Sequence, residues 1–272
     1  MTVAVHSLVE GPAGAPVVVM SHSLGATLEM WRPQAERLAR SFRVVRYDLR
    51  GHGRSPVPPG PYEIADLGAD LVKLLDRLGV ARAHLCGLSL GAMASLWVAA
   101  HHPERVARLV VCSTSALLGP PELWIERVAA VRAGGTVAVA DAVVARWFTA
   151  PWRARHPDHL AEMRATIAAT AAEGYAACCG AIQRMDLRAD LAAIRAPTLA
   201  IAGVEDPSTP PEHLRDIVER IGGARLALVE GAAHLANLEQ PERVGDLILA
   251  HLQDLEDVED QDDLAPTDRE PS

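Results

Sequence analysis

The run Gly87-Leu88-Ser89-Leu90-Gly91 constrains this chain more than any other feature, because of what flanks it. Ala83-His84-Leu85-Cys86 before it reads as a short buried strand. Ser89 to about His101 reads as a helix, which Pro103 closes. A serine on a sharp strand-to-helix turn takes strained backbone angles, and small neighbours are needed to avoid clashes. The turn pushes the hydroxyl out above the sheet. It also places Ser89 at a helix N-terminus, where the backbone N–H of Leu90 can stabilise a developing oxyanion. A bare Gly-x-Ser-x-Gly occurs by chance, and its serine can be a simple helix N-cap. The flanking strand and helix make Ser89 a candidate nucleophile.

The rest of the chain repeats that alternation. Val17–Met20, Phe42–Tyr47, Arg108–Cys112, Thr198–Ala202 and Leu226–Val229 read as further buried strands. Helical patterns run from about Trp31 to Arg40 and from Ile64 to Leu78, the latter stopped by Gly79. This spacing predicts an α/β fold, a mostly parallel twisted sheet with helices on both faces. The rhythm changes after Cys112. From Pro120 to about Ala189 the patterns are helical and rich in Ala and Arg, with Trp124, Trp147 and Trp152. An all-helical insertion at this place predicts a cap over the end of the sheet where ligands bind. The expected division is a core of residues 1–118 and 190–252, a helical cap of 119–189 and a tail of 253–272.

Composition excludes several classes. The chain is 49% hydrophobic, enough for a substantial core, yet no apolar run is long enough to span a membrane. The start, Met1 to His6, lacks the pattern of a signal peptide, so a cytoplasmic location is expected. The net charge is −9, but from Asp254 onward nine acidic residues and one arginine account for −8 of it. That tail is expected to be disordered. The body, near −1, offers no basic stripe for nucleic acid. Four cysteines, two of them adjacent, show neither metal nor redox spacing and read as reduced, mostly buried thiols. No metal or other cofactor is expected; homo-oligomerisation is left open.

A serine hydroxyl needs a base. The order Ser, Asp, His is met by Asp206, just past the Thr198–Ala202 strand, and by His234 in Gly231-Ala232-Ala233-His234. His234 would take the serine proton and Asp206 would orient the imidazole. Glu205 rivals Asp206. His22, His52, His101 and His102 do not fit the chain order. A second oxyanion donor should come from the loop after the first buried strand, where the backbone N–H of Leu24 is the candidate. Arg50-Gly51-His52-Gly53-Arg54-Ser55 lacks the ending of a nucleotide-binding loop and reads as packing beside the site.

Asp48 to Ser55 together with Gly87 to Gly91 resembles the α/β-hydrolase superfamily. Four stretches resemble the 3-oxoadipate enol-lactonases more particularly: Ser23 to Trp31, Gly119 to Trp124, Arg146 to Thr149 and Glu173 to Cys179. The likeness runs from about Ser21 to Leu252. It implies that the substrate is a small lactone carrying a side-chain carboxylate, opened to 3-oxoadipate in the breakdown of aromatic compounds. It also matches Ser89, Asp206 and His234 to that family's triad. Such a carboxylate should meet a cation or several N–H donors. Arg127, one turn from Trp124 on a cap helix, is the candidate, with Arg132 and Arg146 as rivals. Trp124 and Trp147 are expected to line the pocket. His22 stands where the resemblance leads one to expect Asn. Other readings keep the triad and change the outcome: a carboxylesterase, a carbon–carbon bond hydrolase, a cofactor-free perhydrolase, or a slow hydrolase serving as a small-molecule receptor.

Overall fold

The computed structural model describes residues 1–253. The tail expected to be disordered lies, from residue 254, outside the described residues. Seven strands form one sheet: β1 (Ser7–Glu10), β2 (Val17–Ser21), β3 (Arg43–Tyr47), β4 (Ala83–Leu88), β5 (Val106–Cys112), β6 (Thr198–Gly203) and β7 (Arg225–Val229). Their spatial order is β1-β3-β2-β4-β5-β6-β7, and only β1 runs antiparallel to its neighbour.

The mostly parallel α/β sheet is as the sequence pattern predicts. The strand β1 is not among the expected ones. It is a four-residue edge strand of partly exposed residues, so it carries no buried apolar run to reveal it.

Consecutive strand residues feed opposite cores, as the two-residue period of a strand requires. Val19, Val45, Leu85, Val111 and Ala200 pack with α2 (Ile64–Arg77), α3 (Leu90–His101) and α9 (Pro211–Arg220). Val18, Val44, Cys86, Val110 and Ile201 pack with α1 (Arg32–Leu38) and α11 (Pro241–Leu252). Burial on both faces is why these strands read as unbroken apolar runs.

The chain winds outward from β2 to β3, then crosses back to place β4 on the other side of β2. The crevice at that reversal lies beyond the carboxyl ends of β2 and β4, where ligands bind in open parallel sheets. Ser21 and Gly87 are paired there, so the segments that follow them, beginning at His22 and Leu88, emerge side by side.

Five α-helices separate β5 from β6: α4 (Pro121–Gly134), α5 (Val137–Trp147), α6 (Ala150–Arg155), α7 (Pro157–Ala169) and α8 (Ala172–Arg184). Their apolar faces join both cores. Tyr175 and Ile182 of α8 merge with the α2/α3 side, and Val143 and Trp147 of α5 with the other. No helix among the described residues is long and apolar enough to cross a membrane.

The loop Arg50–Ser55 is built around one buried ion pair. Arg50 donates Nε and Nη2 to Asp70 of α2, at 2.6 and 2.9 Å, and the two side chains are 3% and 2% exposed. Asp70 also accepts from the backbone N–H of Val3 at 2.7 Å, tying the N-terminal segment to the same point. Removing the Asp70 charge leaves the buried Arg50 only its longer pair with Asp66, at 3.6 Å. We expect Asp70→Asn to cost about 3–5 kcal/mol in urea unfolding. The paired change Arg50→Met with Asp70→Leu should cost clearly less than that single one.

Candidate active site

Ser89 has φ 54° and ψ −117°, a conformation rare for a residue with a side chain. It persists because its neighbours hold it from several sides. Its N–H donates to Cys112 O at 2.9 Å, and its carbonyl accepts from Met93 N–H and from Thr114 Oγ1, both at 2.9 Å. Glycine is required on either side of it. A Cβ at Gly91 would sit 2.3 Å from Ser21 O, and one at Gly87 would sit 2.5 Å from Ala92 N. The Ser89 side chain makes no capping bond to α3 among the described residues, so the N-cap alternative loses its support.

Asp206 follows β6 and His234 follows β7. Parallel strands deliver both to the same edge as Ser89. His234 Nδ1 donates to Asp206 Oδ2 at 2.8 Å, both groups being buried. Asp206 is saturated with donors: Ser208 N–H at 2.8 Å and Thr209 N–H at 3.1 Å on Oδ1, and Thr209 Oγ1 at 2.7 Å on Oδ2. Burial alone would raise its pKa. The His234 charge and the bonds from His234 and Thr209 outweigh that and hold it at about 2. The carboxylate is therefore ionised, and its bond occupies Nδ1 of His234, leaving Nε2 outside that contact.

Ser89 and His234 line one cavity of about 280 Å³, together with Ser23 and Leu24 from the loop after β2. That loop is pinned by two neutral histidines. His22 Nε2 accepts from Leu49 N–H at 2.9 Å, so its protonated Nδ1 donates to Ser23 O at 2.7 Å. His52 Nε2 accepts from Gly25 N–H at 3.0 Å, and its Nδ1 donates to Arg50 O at 3.1 Å. The backbone on both sides of Leu24 is thus tied down. Burial lowers the pKa of His22 to about 4, and burial plus repulsion from His22 lowers that of His52 to about 3.

The inserted helices supply the other wall. Trp124, Arg127 and Trp147, all expected at the pocket, line it, and so does the rival Arg146. Arg132 does not. It pairs with Glu173 at 3.5 Å and lines a separate surface groove. Arg127 lies over the Trp124 ring at 4.7 Å. Neither Arg127 nor Arg146 meets a carboxylate among the described residues. Burial and the nearby Arg127 charge lower the pKa of Arg146. Tyr175, buried beside them, makes no well-formed hydrogen bond through Oη among the described residues. Burial and Cys179 raise its phenol pKa, and Arg127 and Arg146 oppose that rise.

The comparisons agree with the fold. Residues 16–241 match the family model described as alpha/beta hydrolase fold. The 3-oxoadipate enol-lactonase 2 of Acinetobacter baylyi is 38% identical over 85% of this chain and 86% of its own. A solved enol-lactonase from Burkholderia xenovorans is 41% identical with a TM-score of 0.90, covering 92% of this chain and 96% of that one. A thermophilic esterase from Thermogutta terrifontis, solved with malate bound, is 31% identical with a TM-score of 0.86, covering 92% and 93%.

The chain belongs to the alpha/beta hydrolase fold family. It is a hydrolase, and the resemblance to enol-lactonases seen in its sequence holds over most of its length.

In this hydrolase Thr209 and Tyr175 were not among the expected site residues. Thr209 had a local signal. An Asp followed two and three residues on by Ser and Thr forms a side-chain turn, and this one does. Tyr175 had none, because a helix-borne tyrosine is indistinguishable by spacing from core. The neutral histidines give a pH dependence. Unfolded, both bind protons below about pH 6.5, and folded they do not until about pH 4 and 3. Stability should therefore fall as pH drops from 6.5 towards 4. Urea midpoints across that range should show a shallower slope for His22→Asn, and identical slopes would sink this reading.

Proposed function

We propose that this protein hydrolyses 3-oxoadipate enol-lactone to 3-oxoadipate through a Ser89–His234–Asp206 triad. The observation that carries the reading is a single small cavity. It joins Ser89 and His234 to two arginines that lack a carboxylate partner among the described residues. A nucleophile beside an unneutralised cationic wall suits an anionic ester. The enol-lactonase relatives support this choice of substrate, as does the dicarboxylic acid malate bound in the Thermogutta terrifontis esterase structure.

In this reading His234 Nε2 takes the Ser89 proton as Oγ attacks the lactone carbonyl. The backbone N–H groups of Leu24 and Leu90 receive the oxyanion, Leu90 at the positive end of α3. The ring C–O bond breaks and an enolate leaves, a far better leaving group than an alkoxide, so it needs little help from the imidazolium. The imidazolium proton neutralises it, and the enol becomes a ketone. Water, deprotonated by His234, then attacks the acyl carbonyl and releases Ser89. Residues 119–189 act as a cap that shapes the pocket. Arg127 and Arg146, with the Tyr175 hydroxyl, hold the side-chain carboxylate, and Trp124 and Trp147 wall the ring.

Two experiments test this. Wild-type protein in catalytic amounts should consume enol-lactone absorbance, and Ser89→Ala should abolish it; an unchanged rate would remove Ser89 from the mechanism. Arg127→Gln and Arg146→Gln should each raise KM for the anionic lactone by about tenfold or more, the worth of a charge-assisted bond. The loss should exceed that on a neutral ester such as p-nitrophenyl acetate by a similar factor. Equal losses on both would show that the arginines do not read charge.

A further inference from the structure

The buried carboxylate of Glu239 is left unused by that mechanism. It ends the short helix α10 (Ala236–Glu239), five residues after His234, and is 7% exposed. Its Oε1 accepts from Thr149 N–H at 2.8 Å and from Thr149 Oγ1 at 2.9 Å. Its Oε2 accepts from the backbone N–H of Ala233. Burial raises its pKa, while the Ala233 and Thr149 bonds work against that rise. Burying an acid so close to a reactive histidine is costly unless all its acceptor sites are used.

The partners on the two sides of His234 explain the arrangement. Ala233 N–H reaches Thr149 through Glu239. Leu235 N–H donates directly to Trp147 O at 2.9 Å. The backbone N–H groups immediately before and after His234 are therefore both spent on the segment Trp147–Thr149, where α5 ends and α6 begins. On its other side the same loop is tied to the Asp206 loop, through Glu205 N–H to Ala232 O at 2.9 Å. The imidazole sits on a backbone stretched between its acid partner and the helices that carry the pocket wall, since Trp147 lines the cavity.

We propose that Glu239 is the positioning residue for His234, bridging its loop to Thr149 so that the inserted helices set where the base stands. The proposal rests on the reading of His234 as the general base. A carboxylate is required because all three partners are donors. A glutamine would turn its own NH2 against one of them. An error of about 1 Å in placing a reacting group costs about 100-fold in rate.

The test is steady-state kinetics on the enol-lactone with proton NMR of the low-field His234 Nδ1 resonance, using the full chain. Glu239→Gln should lower kcat by about 10- to 100-fold. It should leave KM within about twofold, because the lost contact orients the base rather than the substrate. The Nδ1 resonance should move or broaden. Thr149→Val should do the same more weakly, and Thr149→Ser should restore both readouts. This pair decides the matter if Glu239→Gln fails to fold. Wild-type kcat in Glu239→Gln overturns the proposal. So does a loss that follows the folded fraction while the resonance stays unmoved. A wild type inert towards every lactone and ester would overturn the base assignment instead, and the resonance would still report whether Glu239 positions the ring.

Discussion

The backbone of Ser89, bent to φ 54°, is the point on which sheet, helix and site all depend. Such a conformation costs about 1–3 kcal/mol and survives only where its surroundings overdetermine it. Here three hydrogen bonds, two with Cys112 and Thr114 at and just past the end of β5 and one from Met93 of α3, fix the peptide groups on either side. The absence of a Cβ at Gly91 lets α3 start against Ser21 O. That contact has a second effect. It brings the loop after β2 alongside the start of α3, so the bend that exposes the hydroxyl also places Leu24 on the same cavity wall.

Much of the site was legible because of one property of parallel sheets. All carboxyl ends lie on one edge, so residues found just past the ends of β4, β6 and β7 must meet there whatever separates them in the chain. Ser89, Asp206 and His234 were found in this way, with no knowledge of strand order. The edge strand β1 escaped because it is partly exposed. The sequence put Arg127 forward but did not show that Arg146 would reach the cavity with it while Arg132 would not. Each sits in a helical pattern of similar composition, and only the packing of α4 and α5 on the core decides which of them reach the cavity. The bridge from Glu239 to Thr149 was hidden for the same reason, since Thr149 lies 90 positions away.

Three histidines near the cavity show how partners assign protonation. His22 and His52 each receive a backbone N–H on Nε2, which excludes the imidazolium unless that bond breaks. His234 meets a carboxylate through Nδ1, a partner that would favour the imidazolium rather than exclude it. His22 occupies a position where the family resemblance leads one to expect Asn. The substitution is intelligible. A neutral imidazole accepting on one nitrogen and donating on the other offers what an amide offers, one acceptor and one donor, to the backbone groups of Leu49 and Ser23.

The cavity has two owners. Strand-end loops bring Ser89 and His234, and the helices between β5 and β6 bring Trp124, Arg127, Arg146 and Trp147. Separation of this kind lets substrate preference change while the reaction is kept. It also sets a constraint, because the two parts must stay in register for a bound carbonyl to meet Ser89. The backbone bond from Leu235 to Trp147 O and the Glu239 bridge to Thr149 join them next to His234 itself. On that geometry a drift of the helices from the core would move the His234 loop with it. The pocket can therefore be altered residue by residue along α4, α5 and α8, but the junction of α5 with α6 is held to the His234 loop.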